Sequence, residues 1–272
     1  MIRSPLMTVM TDAVAKAARS LRRDFGEVEQ LQVSRKGPAD FVSAADRNAE
    51  EILRAALQKA RPDYGFVLEE GGVIEGADRS HRWHVDPLDG TTNFLHGLPH
   101  FAISVGLERD GQPVAGVVYN PIADEWFIAE RGKGAFLNNR RIRVATRQSL
   151  DQALLLCGVP HIGRGDHERF LRELSHMMVN FAGIRRQGSA ALDLCYVAAG
   201  RADAFWERDL KSWDMMAGLC ILREAGGFYS DADGGADPCA SGSIACGNDF
   251  MHRELLKILR RANPASAAAR KG

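Results

Sequence analysis

Residues 82–97 read RWHVDPLDGTTNFLHG. An extended opening, RWHVD, meets two aspartates three positions apart, Asp86 and Asp89, with Pro87 after the first and Gly90, Thr91 and Thr92 after the second. Asp-Pro and Asp-Gly are both turn dipeptides, so the stretch reads as a strand entering a tight turn and leaving as a short helix. Taken alone, DPLDG is most simply a structural turn. A turn needs only one such acid, however, and the second asks for a chemical reason.

Upstream, apolar residues at Ala13, Val14, Ala17, Ala18 and Leu21 have helical spacing over 8–30, and Ala45, Ala49, Ile52, Leu53, Ala56 and Leu57 repeat it over 44–60. Gly37-Pro38 separates the two helices and Pro62 ends the second. YGFVLEEGG begins as a short strand, and FAISVGLERDGQPVAGVVYNP reads as two strands about Asp110-Gly111, so an antiparallel meander follows the helices. After Thr146 strands and helices alternate: ALLLCGV, a helix over 166–178, GIRRQG, a helix over 189–199, DAFWE, a helix over 213–225, SIACG and a helix over 249–262. The expected organisation is an α+β part over 1–147 and an α/β part over 148–272, one compact unit with the site between them and a disordered tail at 263–272.

Apolar residues make up 45% of the 272 and charged residues 26%, the balance of a soluble globular chain. The 35 basic and 35 acidic residues cancel, which removes any whole-molecule field for nucleic acid or membrane. No apolar run approaches the roughly 18 residues of a membrane span. The five cysteines are scattered without a CxxC pair, as expected of reduced thiols, and no apolar leader opens the chain. The expected location is cytoplasmic.

Acids recur where regular elements end. Glu69 and Glu70 close one strand and Asp86 another, Asp89 follows, and Asp214 opens the helix WDMMAGLCILREAGG. Each has a plain alternative: Glu69-Glu70 as a solvated charge pair, Asp214 as a favourable charge at a helix N-terminus. Brought together, they repel one another unless cations intervene. Hard divalent ions with oxygen ligands suit them, Mg²⁺ above all where phosphate also binds. Gly90 allows close backbone approach, and Thr91-Thr92-Asn93 reads as a first helical turn whose amides face an anion. Pro87 would aim Asp86 and Asp89 into one space and turn the Leu88 carbonyl outward. Acids beside a phosphate cradle point to metal-assisted phosphoryl transfer to water.

DPLDGTTNF (86–94), LEEGG (68–72), WERDLKSWDMMAG (206–218), KGPADFVSAAD (36–46) and GSAALDLCYVAAGRAD (188–203) closely resemble the inositol monophosphatase family, in order and over residues 8 to about 260. The resemblance implies a layered α-β-α-β-α sandwich, two to three Mg²⁺ ions, lithium sensitivity and a homodimer. By position it implies Glu69, Asp86, the Leu88 carbonyl, Asp89 and Asp214 as metal ligands, with Glu69 and Thr91 orienting the attacking water. The Gly90 and Thr91 amides would hold phosphate, and Asp89, the Ala190 backbone and Glu207 would contact substrate hydroxyls. Lys36, Asp40 and Asp46 match a mobile segment associated with a further metal.

Related branches hydrolyse adenosine bisphosphates, histidinol phosphate or fructose bisphosphate and differ after the DG. Thr91-Thr92-Asn93-Phe94 favours the inositol branch, hence hydrolysis of inositol-1-phosphate, although bacterial members with this motif often accept several sugar and polyol phosphates. Arg208-Asp209-Leu210-Lys211 and Cys157-Gly158-Val159 depart from the family pattern beside the substrate. A reading of another class comes from NNRRIRVATR (138–147), whose arginines at 140, 141, 143 and 147 suggest RNA or transcription-complex binding. Such runs are usually a solvated strand face. His81, His84, His96 and His100 match no zinc spacing.

Overall fold

The computed structural model describes residues 4–27, 33–35 and 41–264. Helix α1 (Pro5–Phe25) starts earlier and stops sooner than the expected 8–30. Ser4 caps it by accepting the Met7 amide at 3.2 Å, Pro5 suits the first turn, and Gly26 closes it. The hairpin β1 (Val33–Arg35) and β2 (Phe41–Ser43) leads into α2 (Ala44–Ala60). Then come β3 (Tyr64–Leu68), β4 (Gly72–Ile74), β5 (Asp78–Asp89), α3 (Thr91–Leu95), β6 (Ala102–Arg109), β7 (Gln112–Asn120), β8 (Glu125–Glu130), β9 (Gly134–Leu137) and β10 (Arg140–Arg141). These strands form one sheet in the order β10-β9-β8-β7-β6-β5-β3-β4. The meander from β5 to β10 is antiparallel as expected, but β3 pairs with β5 in parallel, which sets their C-terminal ends, and so Glu69 and Asp86, side by side.

The second half contains β11 (Leu154–Cys157), α4 (His167–Met178), β12 (Gly183–Arg185), α5 (Ala190–Ala198), β13 (Ala204–Arg208), α6 (Ser212–Glu224), β14 (Phe228–Ser230), α7 (Pro238–Ser241), β15 (Ser243–Gly247) and α8 (Asp249–Ala262). Its sheet runs β12-β11-β13-β15-β14, with β11 parallel to β12 and β13 and β15 antiparallel to β13 and β14. The short β4 and β14 and the one-turn α7 carry too few residues for a periodic signal. Three apolar cores define the layers. Val14, Leu21, Leu53, Leu57, Trp83 and Val85 join α1 and α2 to the large sheet. Val118, Phe127, Leu192, Phe205, Leu219 and Ile221 place α5 and α6 between the sheets. Leu155, Met177, Trp206, Leu255 and Leu259 back the small sheet with α4 and α8. The result is the α-β-α-β-α sandwich. Of the tail expected to be disordered, Asn263 is buried and donates to Glu173 at 2.7 Å, while 265–272 lie outside the described residues.

Two glycines set the depth of α6. Gly106 and Gly116 pair across β6 and β7, and α6 lies directly on them. A Cβ on Gly116 would stand 2.4 Å from the Ala217 carbonyl oxygen and 3.0 Å from its Cα, both backbone atoms that cannot rotate away. Gly116→Ala should therefore cost about 1–3 kcal/mol by overpacking, read as a lower midpoint in urea unfolding. A change under about 0.5 kcal/mol, ordinary for a surface substitution, would show that α6 is not seated there. No described helix is long and apolar enough to cross a membrane.

Candidate active site

The DPLD stretch is not a turn. β5 continues through it to Asp89, and the register against β6 slips between Asp86, opposite Ser104, and Asp89, opposite Ala102. One extra residue is accommodated, a β-bulge, where a proline without an amide is tolerated. Residues three apart on a regular strand face opposite sides. With the bulge, Trp83, Val85 and Leu88 all enter the α1/α2 core, and Asp86 and Asp89 both face a cavity of about 520 Å³. The turn comes one residue later, at Gly90, whose φ of 100° favours glycine and where a Cβ would crowd the His100 carbonyl oxygen at 3.1 Å.

The cavity wall also carries Glu69, the Leu88 backbone, Gly90, Thr91, Ala190, Glu207 and Asp214. Thr91 donates its hydroxyl to the Leu88 carbonyl at 3.0 Å, and the Leu88 amide donates to Asp86 Oδ1 at 2.9 Å. Asp89 Oδ2 accepts from Ser189 Oγ at 2.6 Å and the Ala191 amide at 2.7 Å. Asp214 stands on the first turn of α6, where its Oδ2 accepts the Lys211 amide at 2.7 Å. Glu70 is not among the residues that line the cavity, and its backbone amide donates to Glu50 Oε2 at 2.8 Å. Asp46 is buried in the first turn of α2; it is not among the cavity-lining residues but is near enough to act on Asp86. Lys36 and Asp40 lie outside the described residues.

Electrostatics separate this cluster from ordinary surface acids. Burial, reinforced by Glu69, Asp89, Asp214 and Asp46, pushes Asp86 well above the usual carboxylate range. Burial and then Asp214 lift Asp89 to about 7, against the pull of the Ser189 hydroxyl and the Ala191 and Ala190 amides. Glu207 rises to about 8 through burial, Asp214 and Asp89, offset by Arg164 and Arg186. Asp214 is raised by burial and eased by the Lys211 amide and Arg164. Among the described residues, no three His, Cys, Asp or Glu side chains already form a closed ligand group. The donor set nevertheless fits a hard cation: it is all oxygen, convergent, and short of positive charge.

A family model for the inositol monophosphatase family matches residues 3–264. The chain belongs to the inositol monophosphatase family. An inositol-1-monophosphatase of Rhizobium meliloti (strain 1021) is 61% identical over 265 residues, spanning 97% of this chain and 100% of that protein. The crystal structure of extragenic suppressor protein suhB from Bartonella henselae superposes with a TM-score of 0.92 at 54% identity, covering 95% of this chain and 99% of that one. Nus factor SuhB of Vibrio cholerae is 41% identical over 256 residues, 94% of this chain and 96% of that protein. This inositol monophosphatase relative is a phosphoric monoester hydrolase with the layered α+β fold of its family, and metal dependence is general in that family.

The structure adds residues that the motifs did not name. Ser189 caps α5 and braces Asp89 from 100 positions away; the small polar residue before AALDL was a readable N-cap signal. Arg164 and Arg186 reach the cavity from separate loops and moderate Glu207, and no local pattern marks either. Asp193, buried on α5, is raised by burial and by Glu207. Exposed Arg140 and Arg141 form the edge strand β10, whereas Arg147 pairs with Asp203 at 2.8 Å.

Proposed function

We propose that this protein hydrolyses inositol-1-phosphate, and related polyol or sugar phosphates, to the alcohol and phosphate, using two to three Mg²⁺ ions. The observation that carries this reading is the convergence of Glu69, Asp86, Asp89 and Asp214 from separate elements beside the Gly90 turn. Glu69, Asp86, the Leu88 carbonyl, Asp89 and Asp214 would hold the cations, with Asp46 and the segment of Lys36 and Asp40 near a further one. Bound Mg²⁺ supplies charge neutralisation at the phosphate and a more acidic water.

The remaining work falls to side chains and backbone. The Gly90 and Thr91 amides, at the first turn of α3, orient the phosphate. Thr91 Oγ1 gives its proton to the Leu88 carbonyl and keeps lone pairs for a water proton. Glu69 accepts the water's other proton as water oxygen attacks phosphorus and the ester P–O bond breaks; the departing alkoxide is protonated from solvent. Glu207, from β13, accepts from a substrate hydroxyl, and Asp89, held by Ser189, meets another beside the Ala190 backbone. We further propose a cytoplasmic homodimer.

The test is a phosphate-release panel of inositol-1-phosphate, fructose bisphosphate, adenosine bisphosphate and histidinol phosphate. Inositol-1-phosphate should be turned over best, EDTA should abolish release, Mg²⁺ should restore it, and millimolar lithium should lower it. Full turnover in EDTA would sink the reading; a clear preference for another substrate would move it to that branch. A secondary role with RNA draws on the exposed Arg140 and Arg141 and on the Nus factor relative. RNA titration with a steep salt dependence supports it, and no binding at low salt removes it.

A further inference from the structure

Glu207 is held by residues that phosphate chemistry does not use. β13 alternates, so Phe205 and Glu207 face the inter-sheet side and Trp206 and Arg208 face α4 and α8. On that side Glu173 of α4 has 0% exposure to solvent and, with Trp206 and Arg208, backs the rim of the same cavity. Its carboxylate accepts from Arg208 Nη2 at 2.8 Å and Nε at 3.0 Å, from Trp206 Nε1 at 3.0 Å, from Asn263 Nδ2 at 2.7 Å and from Arg169 Nε at 3.2 Å. Asp233 Oδ1 accepts from the same two arginines, Arg169 at 2.6 Å and Arg208 at 3.1 Å. A buried carboxylate satisfied by this many donors is rigid, and it pins the residue next to Glu207.

On the inter-sheet side of β13 the restraint is an absence of atoms. A Cβ on Gly158 would stand 1.8 Å from Glu207 Cδ and 2.0 Å from its Oε1, so the carboxylate rests directly on the Gly158 backbone. That backbone is itself anchored, the Gly158 amide donating to the Trp206 carbonyl at 3.4 Å. Arg164 then donates to the Asp209 carbonyl, closing the loop over the turn that leads to Asp214.

We propose that Glu173, acting through Arg208, and Gly158, through its missing side chain, position Glu207 and so set the preference for a polyol leaving group over one without hydroxyls. The inference rests on the assignment above of Glu207 as the hydroxyl contact. A hydrogen bond fails within a few tenths of an ångström and a modest tilt, whereas the phosphate end is built on β3, β5, α3 and α6 and does not depend on Glu173. Arg208 and Gly158 are therefore positioning residues.

The experiment compares kcat/KM for inositol-1-phosphate and p-nitrophenyl phosphate in the Mg²⁺-loaded full chain, with thermal unfolding of each variant. Glu207→Gln sets the floor. Arg208→Gln and Gly158→Ala should lower the inositol-1-phosphate value about ten- to a hundredfold, mostly through KM, and the p-nitrophenyl phosphate value less than about twofold. Arg208→Lys, keeping the charge without the fork, should recover part of the loss. Gly158→Ala leaves the Glu173 network intact and tests the glycine support by itself; where Arg208→Gln fails to fold, Arg208→Lys tests the Glu173 support, with a smaller loss expected on inositol-1-phosphate alone. Equal losses on both substrates, or unchanged discrimination in both variants, would overturn the inference alone. A wild-type enzyme that does not prefer inositol-1-phosphate would overturn the assignment of Glu207 and this inference with it.

Discussion

Asp86→Asn should lower phosphate release about a thousandfold while leaving the metal-free protein at least as stable as wild type. Asp86 is 2% exposed at the bulge, and its Oδ1 already accepts the Leu88 amide, a bond that an asparagine oxygen keeps. The substitution therefore replaces the other oxygen with a donor that cannot bind a cation. Losing a ligand to a catalytic cation removes on the order of 4 kcal/mol of transition-state stabilisation, which at about 1.4 kcal/mol per tenfold gives that rate loss. The stability effect has the opposite sign because the buried charge faces four other acids. Phosphate release together with thermal unfolding in EDTA checks both halves. Wild-type turnover would remove Asp86 from the site, and a collapse in stability would make it structural instead.

The second large effect is a pH-dependent instability of the metal-free protein that a divalent cation reverses. Asp89 rises from 3.8 to about 7 and Glu207 from 4.5 to about 8, and Asp86 and Asp214 shift the same way. Between the unfolded and folded values the native state binds more protons than the unfolded chain, so stability falls as pH rises. The contribution is whole below about pH 4 and is lost through the window from about pH 4 to about pH 8. On the proposed reading Mg²⁺ would replace the missing protons, so its stabilisation should grow over the same window. Thermal midpoints from about pH 5 to about pH 9, with EDTA and with Mg²⁺, read both trends. A midpoint in EDTA that is flat or rises with pH would contradict the acidic cluster.

Much of the site was legible because its chemistry is local. DPLDGTTNF carries two acids, the turn that follows them and the glycine it requires within nine residues, and the strand-end positions of Glu69 and Glu207 follow from short apolar runs. The bulge was not legible. Local residues spell a turn, and only the pairing of Asp86 with Ser104 and Asp89 with Ala102 shows a strand with one residue inserted. Ser189 and Arg164 were missed for a related reason: each reaches the acids across a large sequence gap, and its role depends on where a separate loop ends.

The amino-acid sequence by itself determined the succession of helices and strands, the acids at their ends and the Gly90 turn, because periodicity, turn chemistry and charge are properties of neighbouring residues; the layer order came from the family resemblance of its motifs. Tertiary structure alone decided which way those acids point. Register with β6 brings Asp86 and Asp89 to one face, the parallel pairing of β3 with β5 sets Glu69 beside them, and the glycine seat on β6 and β7 sets the depth of the helix that carries Asp214. Each is a contact between segments distant in the chain, and no single segment encodes it.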